Sequence, residues 1–314
     1  STRKESSAAS DVYKRQWQRN TVLIHTTLHF FLSYTHERPK GSRLQIFLAF
    51  SSDQTVNFES IDALMQASPL ADYYKIAPIE DVPVCLRKSF ANILLVKKQE
   101  QTRLSTGDTL FTVEGWKSNP KSRLYEMEKT AEALNEDMVY HISIYGSDTY
   151  KTAQQALQKP IAILREKALG RSGQITLADN KNRPRDVSAE ETLRIYEEFL
   201  SDVAKSPCFF ANILLYANQK SSAHFLMDAV CGEAIKEGTC EIQEIPSTAT
   251  PLELQEVNQP YCNLLPPSLA FWPTAYTLDE LSSFFRLPIL FDGENIEIKK
   301  ETCLLYTSPS PRDS

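Results

Sequence analysis

The chain of 314 residues carries none of the short motifs that mark common catalytic or metal-binding sites. Its six cysteines include no Cys-x-x-Cys pair, so a zinc or dithiol redox motif has no local support. There is no Gly-x-Ser-x-Gly nucleophile elbow, and Gly170-Arg-Ser-Gly173 misses its spacing. Gly232-Glu-Ala-Ile-Lys-Glu-Gly238-Thr239 has five residues between its glycines, where a phosphate-binding loop has four, and no lysine precedes Thr239. It reads as a helix ending at a Gly238 C-cap. No apolar run is long enough to span a bilayer, since residues 22–34 are too few and include His25 and His29. No active site, bound cofactor, metal or membrane contact is expected of this chain.

The two ends read as foreign. Ser6-Ser-Ala-Ala-Ser-Asp-Val-Tyr-Lys-Arg-Gln16 resembles the in-frame translation of a transposase-type sequencing adapter. Cys303-Leu-Leu-Tyr-Thr-Ser-Pro-Ser-Pro-Arg-Asp313 resembles the paired adapter read from the opposite strand. Residues 1–16 and 303–314 are therefore set aside as adapter-derived tags, and the remainder is expected to be a fragment open at both ends. Setting them aside removes five basic residues from 34 and three acidic residues from 40, so the net charge moves from −6 to −8. So acidic a body argues against a surface that grips nucleic acid throughout.

What is present is the grammar of a layered α/β protein. Ser188-Ala-Glu-Glu191 has the form of a capping box. Leu193, Tyr196, Leu200 and Val203 follow at helical spacing, and Pro207 closes the helix. Phe209-Phe-Ala-Asn-Ile-Leu-Leu-Tyr216 is an apolar run of strand length, suited to burial on both faces. A second helix places Ala223, Leu226, Met227 and Val230 on one side. Upstream, residues 21–34 and 44–50 predict a hairpin, 58–67 a short helix, and 91–96, 109–114 and 138–145 strands. Residues 122–134 predict an amphipathic helix, and 150–169 a helix broken at Pro160. Helix–strand–helix thus occurs twice, which predicts two α/β lobes with mixed sheets and a structural duplication. An α+β arrangement is the alternative. The expected boundaries are 17–169 for the first lobe, 170–187 for a polar linker and 188–245 for the second lobe. Residues 246–302 follow as a proline-rich extended connector with a helix over 277–287.

Several features invite chemistry and have plainer readings. His25 and His29 stand four apart, but a strand there separates their rings and no metal pair forms. The doublets Glu190/Glu191 and Glu197/Glu198 fall on a solvated helix face. Cys85, Cys208, Cys231, Cys240 and Cys262 read as free thiols of a reducing compartment. Residues 159–185 hold seven basic side chains against Glu166 and Asp179. Within them Lys181, Arg183 and Arg185 are the candidate contacts for nucleic acid or a partner.

The segment Trp272-Pro-Thr-Ala-Tyr-Thr-Leu-Asp-Glu-Leu-Ser-Ser-Phe-Phe-Arg-Leu-Pro288 is a helix capped by Thr277 and Glu280, with Leu281, Phe284 and Phe285 docking. It is similar to the lead-in that precedes the ATPase core in bacterial HerA/FtsK-type ATP-binding proteins, where a Tyr-Thr-x-x-Glu-Leu…Phe-Arg-Leu-Pro pattern occurs. Ser68-Pro-Leu-Ala-Asp-Tyr-Tyr-Lys75, residues 116–124 and residues 193–200 resemble the accessory region of the same proteins. The resemblance covers most of residues 44–300. It implies a cytoplasmic, non-catalytic accessory fragment of a DNA translocase or helicase-like protein, serving docking, assembly or DNA guidance. ATP and Mg²⁺ would belong to the absent motor domain, DNA would be met through the full-length protein, and protein partners or a homo-oligomer are implied. The alternative is a stand-alone protein-interaction module with no ATPase attached.

Overall fold

A computed structural model describes residues 26–36, 44–52, 58–67, 75–79, 81–105, 107–145, 149–169, 186–246, 249–253, 262–285 and 301–306. In chain order the elements begin with β1 (Thr26–Tyr34), β2 (Leu44–Ser52), α1 (Phe58–Gln66), β3 (Lys75–Ile79) and α2 (Val84–Arg87). Next come β4 (Asn92–Ser105), β5 (Asp108–Glu114), β6 (Lys117–Ser118), α3 (Tyr125–Leu134), β7 (Met138–Tyr145) and α4 (Thr149–Ala168). α5 (Val187–Lys205), β8 (Cys208–Ala217), α6 (Lys220–Ala234), β9 (Ile235–Glu237) and β10 (Cys240–Ile245) follow. Two single 3₁₀ turns then lead to β11 (Ala275–Thr277), α7 (Leu278–Ser282) and β12 (Glu301–Tyr306).

One mixed α/β body results. Its main sheet runs β10-β4-β8-β7-β1-β2-β12-β3, with β5 added to β4 and β11 added to β8. Pairing is antiparallel except at β12, which lies parallel to both β2 and β3. β8 is central because its residues alternate between two closed faces. Ala211, Ile213 and Leu215 join the layer under α3, α6 and α7. Leu214 and Tyr216 join the opposite layer with Leu86 and Phe90 around α2. Farther along that second face, α4 and α5 pack on Phe210 and on β5. An all-apolar strand is stable only when both of its faces are covered, and here both are.

This arrangement corrects several expectations. β7 and β8, the strands of the two helix–strand–helix units, are antiparallel neighbours in one sheet, so the units are not separate lobes. Nor are they copies. The helix preceding β7 covers the α6 face, whereas the helix preceding β8 covers the opposite face. The connector expected after residue 245 is part of the core: Trp272, Ala275 and Tyr276 are buried and β11 extends the sheet. A short edge pairing tolerates the nearby prolines because these fall in the turns before it. The helix at Thr277 has both halves of its capping box but ends at Ser282, not at 287.

Local details differ as well. α5 is capped by Asp186, whose carboxylate accepts from the Ala189 amide, so Ser188 lies inside the first turn and not at the cap. α4 runs unbroken through Pro160, because Ala153, Leu157, Ile161 and Leu164 bury one stripe on both sides of it. Gly238 is not a helix cap. α6 stops at Ala234, and Gly238, at φ +101°, makes the turn between β9 and β10. Residues 303–306, set aside as tag, lie in β12 between two strands. Among the described residues no helix is long and apolar enough to cross a membrane.

Candidate functional site

Where β4, the β5–β6 connection, α5 and the β11–α7 segment meet, they leave a cleft of about 680 Å³. Its inner wall is aromatic. Phe199 and Trp272 lie 4.8 Å apart between ring centroids, and Tyr196 meets Trp272 edge-on. Trp116 packs on Tyr276 and Phe284, each at 5.3 Å. Such rings give large contact area at little entropic cost.

Lys98 sits at the base of the cleft. Its ammonium is 2.8 Å from Glu280 Oε2 and lies over the rings of Tyr276 (5.4 Å) and Phe199 (5.7 Å). Glu280 serves twice, since its Oε2 also accepts from the Thr277 amide at 2.8 Å and caps α7. A buried ammonium left without a partner is costly, and Lys98 has both an anion and two ring faces beside it. Two glycines allow the close approach. A Cβ on Gly115 would stand 2.9 Å from Glu280 Oε1, and one on Gly238 would stand 2.8 Å from the Gly115 carbonyl oxygen. Side chains there would push the walls apart.

The mouth is acidic. Glu114, Glu198, Asp202, Glu237, Asp279 and Glu280 line the cleft against Lys98 and Lys117. Lys98 is consumed by Glu280, and Lys117 pairs with Glu237 at 2.5 Å. The remaining field is negative, so the cleft favours a cationic group and disfavours a phosphate.

The residues singled out by sequence are dispersed. Lys181, Arg183 and Arg185 lie outside the described residues. Of the same basic stretch, Arg165 binds Glu197 at 2.7 Å, and Lys167 binds Asp108. Glu191 pairs with Arg103, and Glu198, which lines the cleft, pairs with Arg194. His25 is outside the described residues, and His29 is buried beside His141. Cys85, Cys208, Cys231, Cys240 and Cys262 form no disulfide, and burial pushes Cys208 up to about 12. Among the described residues no group of three or more His, Cys, Asp or Glu could hold a metal ion.

Sequence reasoning missed Lys98, Glu280, Gly115 and Phe199 as neighbours. The signal available was Lys97-Lys98 interrupting an apolar strand, since two lysines inside such a run require partners. No protein-family model, curated protein or solved structure matches the chain.

Proposed function

We propose that this chain is the non-catalytic accessory region of a HerA/FtsK-type ATP-driven DNA translocase or helicase-like protein, and that it acts as a rigid mount. The observation that carries this reading is the anchoring of the segment on which the resemblance is most specific. β11 pairs with β8, and Tyr276, Leu281 and Phe284 are buried. The carbonyl oxygens at the end of a helix normally lack partners. Here Trp116 Nε1 donates to the Glu280 oxygen at 3.1 Å, Ser122 Oγ to that of Ser283 at 3.0 Å, and Tyr140 OH to that of Phe284 at 3.0 Å. Tyr276 OH donates in turn to the Val96 oxygen at 3.2 Å. The lead-in is held at three points between residues 280 and 284, which fixes this segment against the body. A domain attached to a force-generating motor needs so firm an attachment.

The cleft beside this segment supports docking and assembly over DNA guidance. Its aromatic wall and acidic mouth suit a basic protein segment, while a phosphate backbone would be repelled. DNA guidance rests on Lys181, Arg183 and Arg185 in the sequence alone. The stand-alone interaction module uses the same cleft and is separated by the source gene. Reading its frame beyond the codon for Thr302 should reveal Gly-x-x-x-x-Gly-Lys-[Ser/Thr] within several tens of residues. A stop codon reached without that loop would defeat the motor attachment and leave the interaction module.

A further inference from the structure

We infer that the cleft is a receptor for an arginine side chain of a protein partner, with Glu280 Oε1 accepting from its guanidinium. This rests on the reading of the cleft as a docking site and names the group that docks. Glu280 is 9% exposed, and its two oxygens are used differently. Oε2 accepts from Lys98 Nζ at 2.8 Å, from the Thr277 amide at 2.8 Å and from Thr277 Oγ1 at 3.3 Å. Oε1 meets no donor among the described residues. A carboxylate oxygen in so closed a place is costly until a donor reaches it.

Gly115 is the opening to that oxygen. It is exposed, it lines the cleft, and a Cβ there would stand 2.9 Å from Oε1. Its φ lies outside the left-handed region, so the backbone does not require glycine here. What glycine provides is an uncovered path to the carboxylate. A second open acceptor comes from α5, where Asp202 follows Phe199 by three residues and shares its face. The Asp202 carboxylate is exposed and has no partner among the described residues. Elsewhere in the mouth, Glu114 accepts from Gln101 and Thr239, Glu198 from Arg194 and Glu237 from Lys117.

These acceptors select a guanidinium over an ammonium. A guanidinium has five donors in one plane, enough to serve two carboxylates, and its flat face packs on rings such as Phe199. Its delocalised charge also suits a site that already holds Lys98. A compact ammonium brought to Oε1 would face that second ammonium across a single carboxylate. The cleft, at about 680 Å³, is far larger than one guanidinium, so the residues flanking the arginine fill the remainder under the acidic mouth.

The test titrates peptides of the form Gly-Lys-Gly-Xaa-Gly-Lys-Gly, with arginine, citrulline or lysine at Xaa, into the ¹⁵N-labelled chain. The indole resonances of Trp116 and Trp272, both in the cleft wall, report binding. The arginine peptide should shift both saturably and bind about tenfold more tightly than either of the others, the difference made by one charge-assisted hydrogen bond. Gly115→Ala should remove that preference by covering Oε1, and Asp202→Asn, a change at an exposed position, should reduce it. The second variant keeps the test decisive if the first does not fold. Equal affinity for the arginine and lysine peptides, or a preference that survives both substitutions, would overturn the arginine site and leave the cleft as a docking surface for basic segments. No saturable shift with any peptide would defeat that docking reading as well.

Discussion

His29 and His141 face one another across β1 and β7, with Nδ1 of the first 3.1 Å from Nε2 of the second. The contact is the middle link of a buried chain. His29 Nε2 meets Ser51 Oγ at 3.1 Å, and His141 Nδ1 meets Tyr216 OH at 3.4 Å. The His141 ring stacks on Phe31 at 4.2 Å. The facing nitrogens share one proton, so both rings cannot be protonated without setting a donor against a donor, and a charge on either ring would be buried away from water.

Acid should therefore weaken the fold. Burial pushes His29 down to about 4 and holds His141 well below the ordinary histidine value. A lowered pKa means that the unfolded chain binds protons that the native chain refuses. The stabilisation is complete above about pH 6.5 and is lost as pH falls towards 4. His29 alone should cost about 2 kcal/mol between pH 7 and 5. Glu128 works in the opposite sense over the same range, since burial beside Glu132 pushes it up to about 7. The difference between wild type and His29→Gln in urea unfolding at pH 7 and 5 isolates the histidine. An unchanged difference between the two pH values would refute the protonation account.

Leu214 and Leu215 are adjacent, fully buried and on opposite faces of β8. Truncation of either to Ala should cost about 2–5 kcal/mol, since neither face can collapse freely onto the cavity. Denaturant unfolding checks this. A loss under about 1 kcal/mol at either position would mean that its face is open.

Apolar runs made β7 and β8 legible, and their boundaries match the sequence reading closely. Periodicity also found α3, α5 and α6, because a helix buried along one stripe writes that stripe into the sequence. The order of strands was not legible. Nothing in residues 138–145 or 209–216 says that they pair with each other, because partner choice is set by contacts distant in sequence. The cleft was hidden for the same reason. Lys98 and Glu280 are 182 positions apart, and each alone looks like ordinary surface charge. Gly238 was misread because a glycine after a helix resembles a C-cap until the three residues of β9 are seen between them.

Removing residues 303–314 should destabilise the protein. The deletion takes away Cys303–Tyr306 and with it most of β12, leaving β2 and β3 without their shared partner. A lower thermal midpoint is expected for this truncation. An unchanged midpoint would show that β12 adds nothing to the cooperative fold and that these residues behave as a tag.

Tyr140→Phe should loosen the anchored lead-in without emptying the core. The ring remains, but the Phe284 carbonyl oxygen loses the phenolic donor at 3.0 Å. The expected cost is about 1 kcal/mol, with faster amide exchange confined to residues 281–285. Exchange that rises equally across β7 and β8 would point to general destabilisation and away from a local clamp.

Pro160→Ala should stabilise the chain. Proline inside a helix removes one amide donor and crowds the carbonyl four residues back, at a cost of about 3 kcal/mol in an exposed interior. α4 nonetheless continues for eight residues beyond Pro160, held by Ile161 and Leu164 against α5. Alanine supplies the missing donor to the Ala156 carbonyl and has the highest helix propensity. A gain of about 1–3 kcal/mol in unfolding free energy is expected, less than the full penalty where the helix has already relaxed around the ring. A destabilised variant would show that the proline sets a bend on which the α4–α5 packing depends, and that the contacts of Leu157 and Ile161 require it.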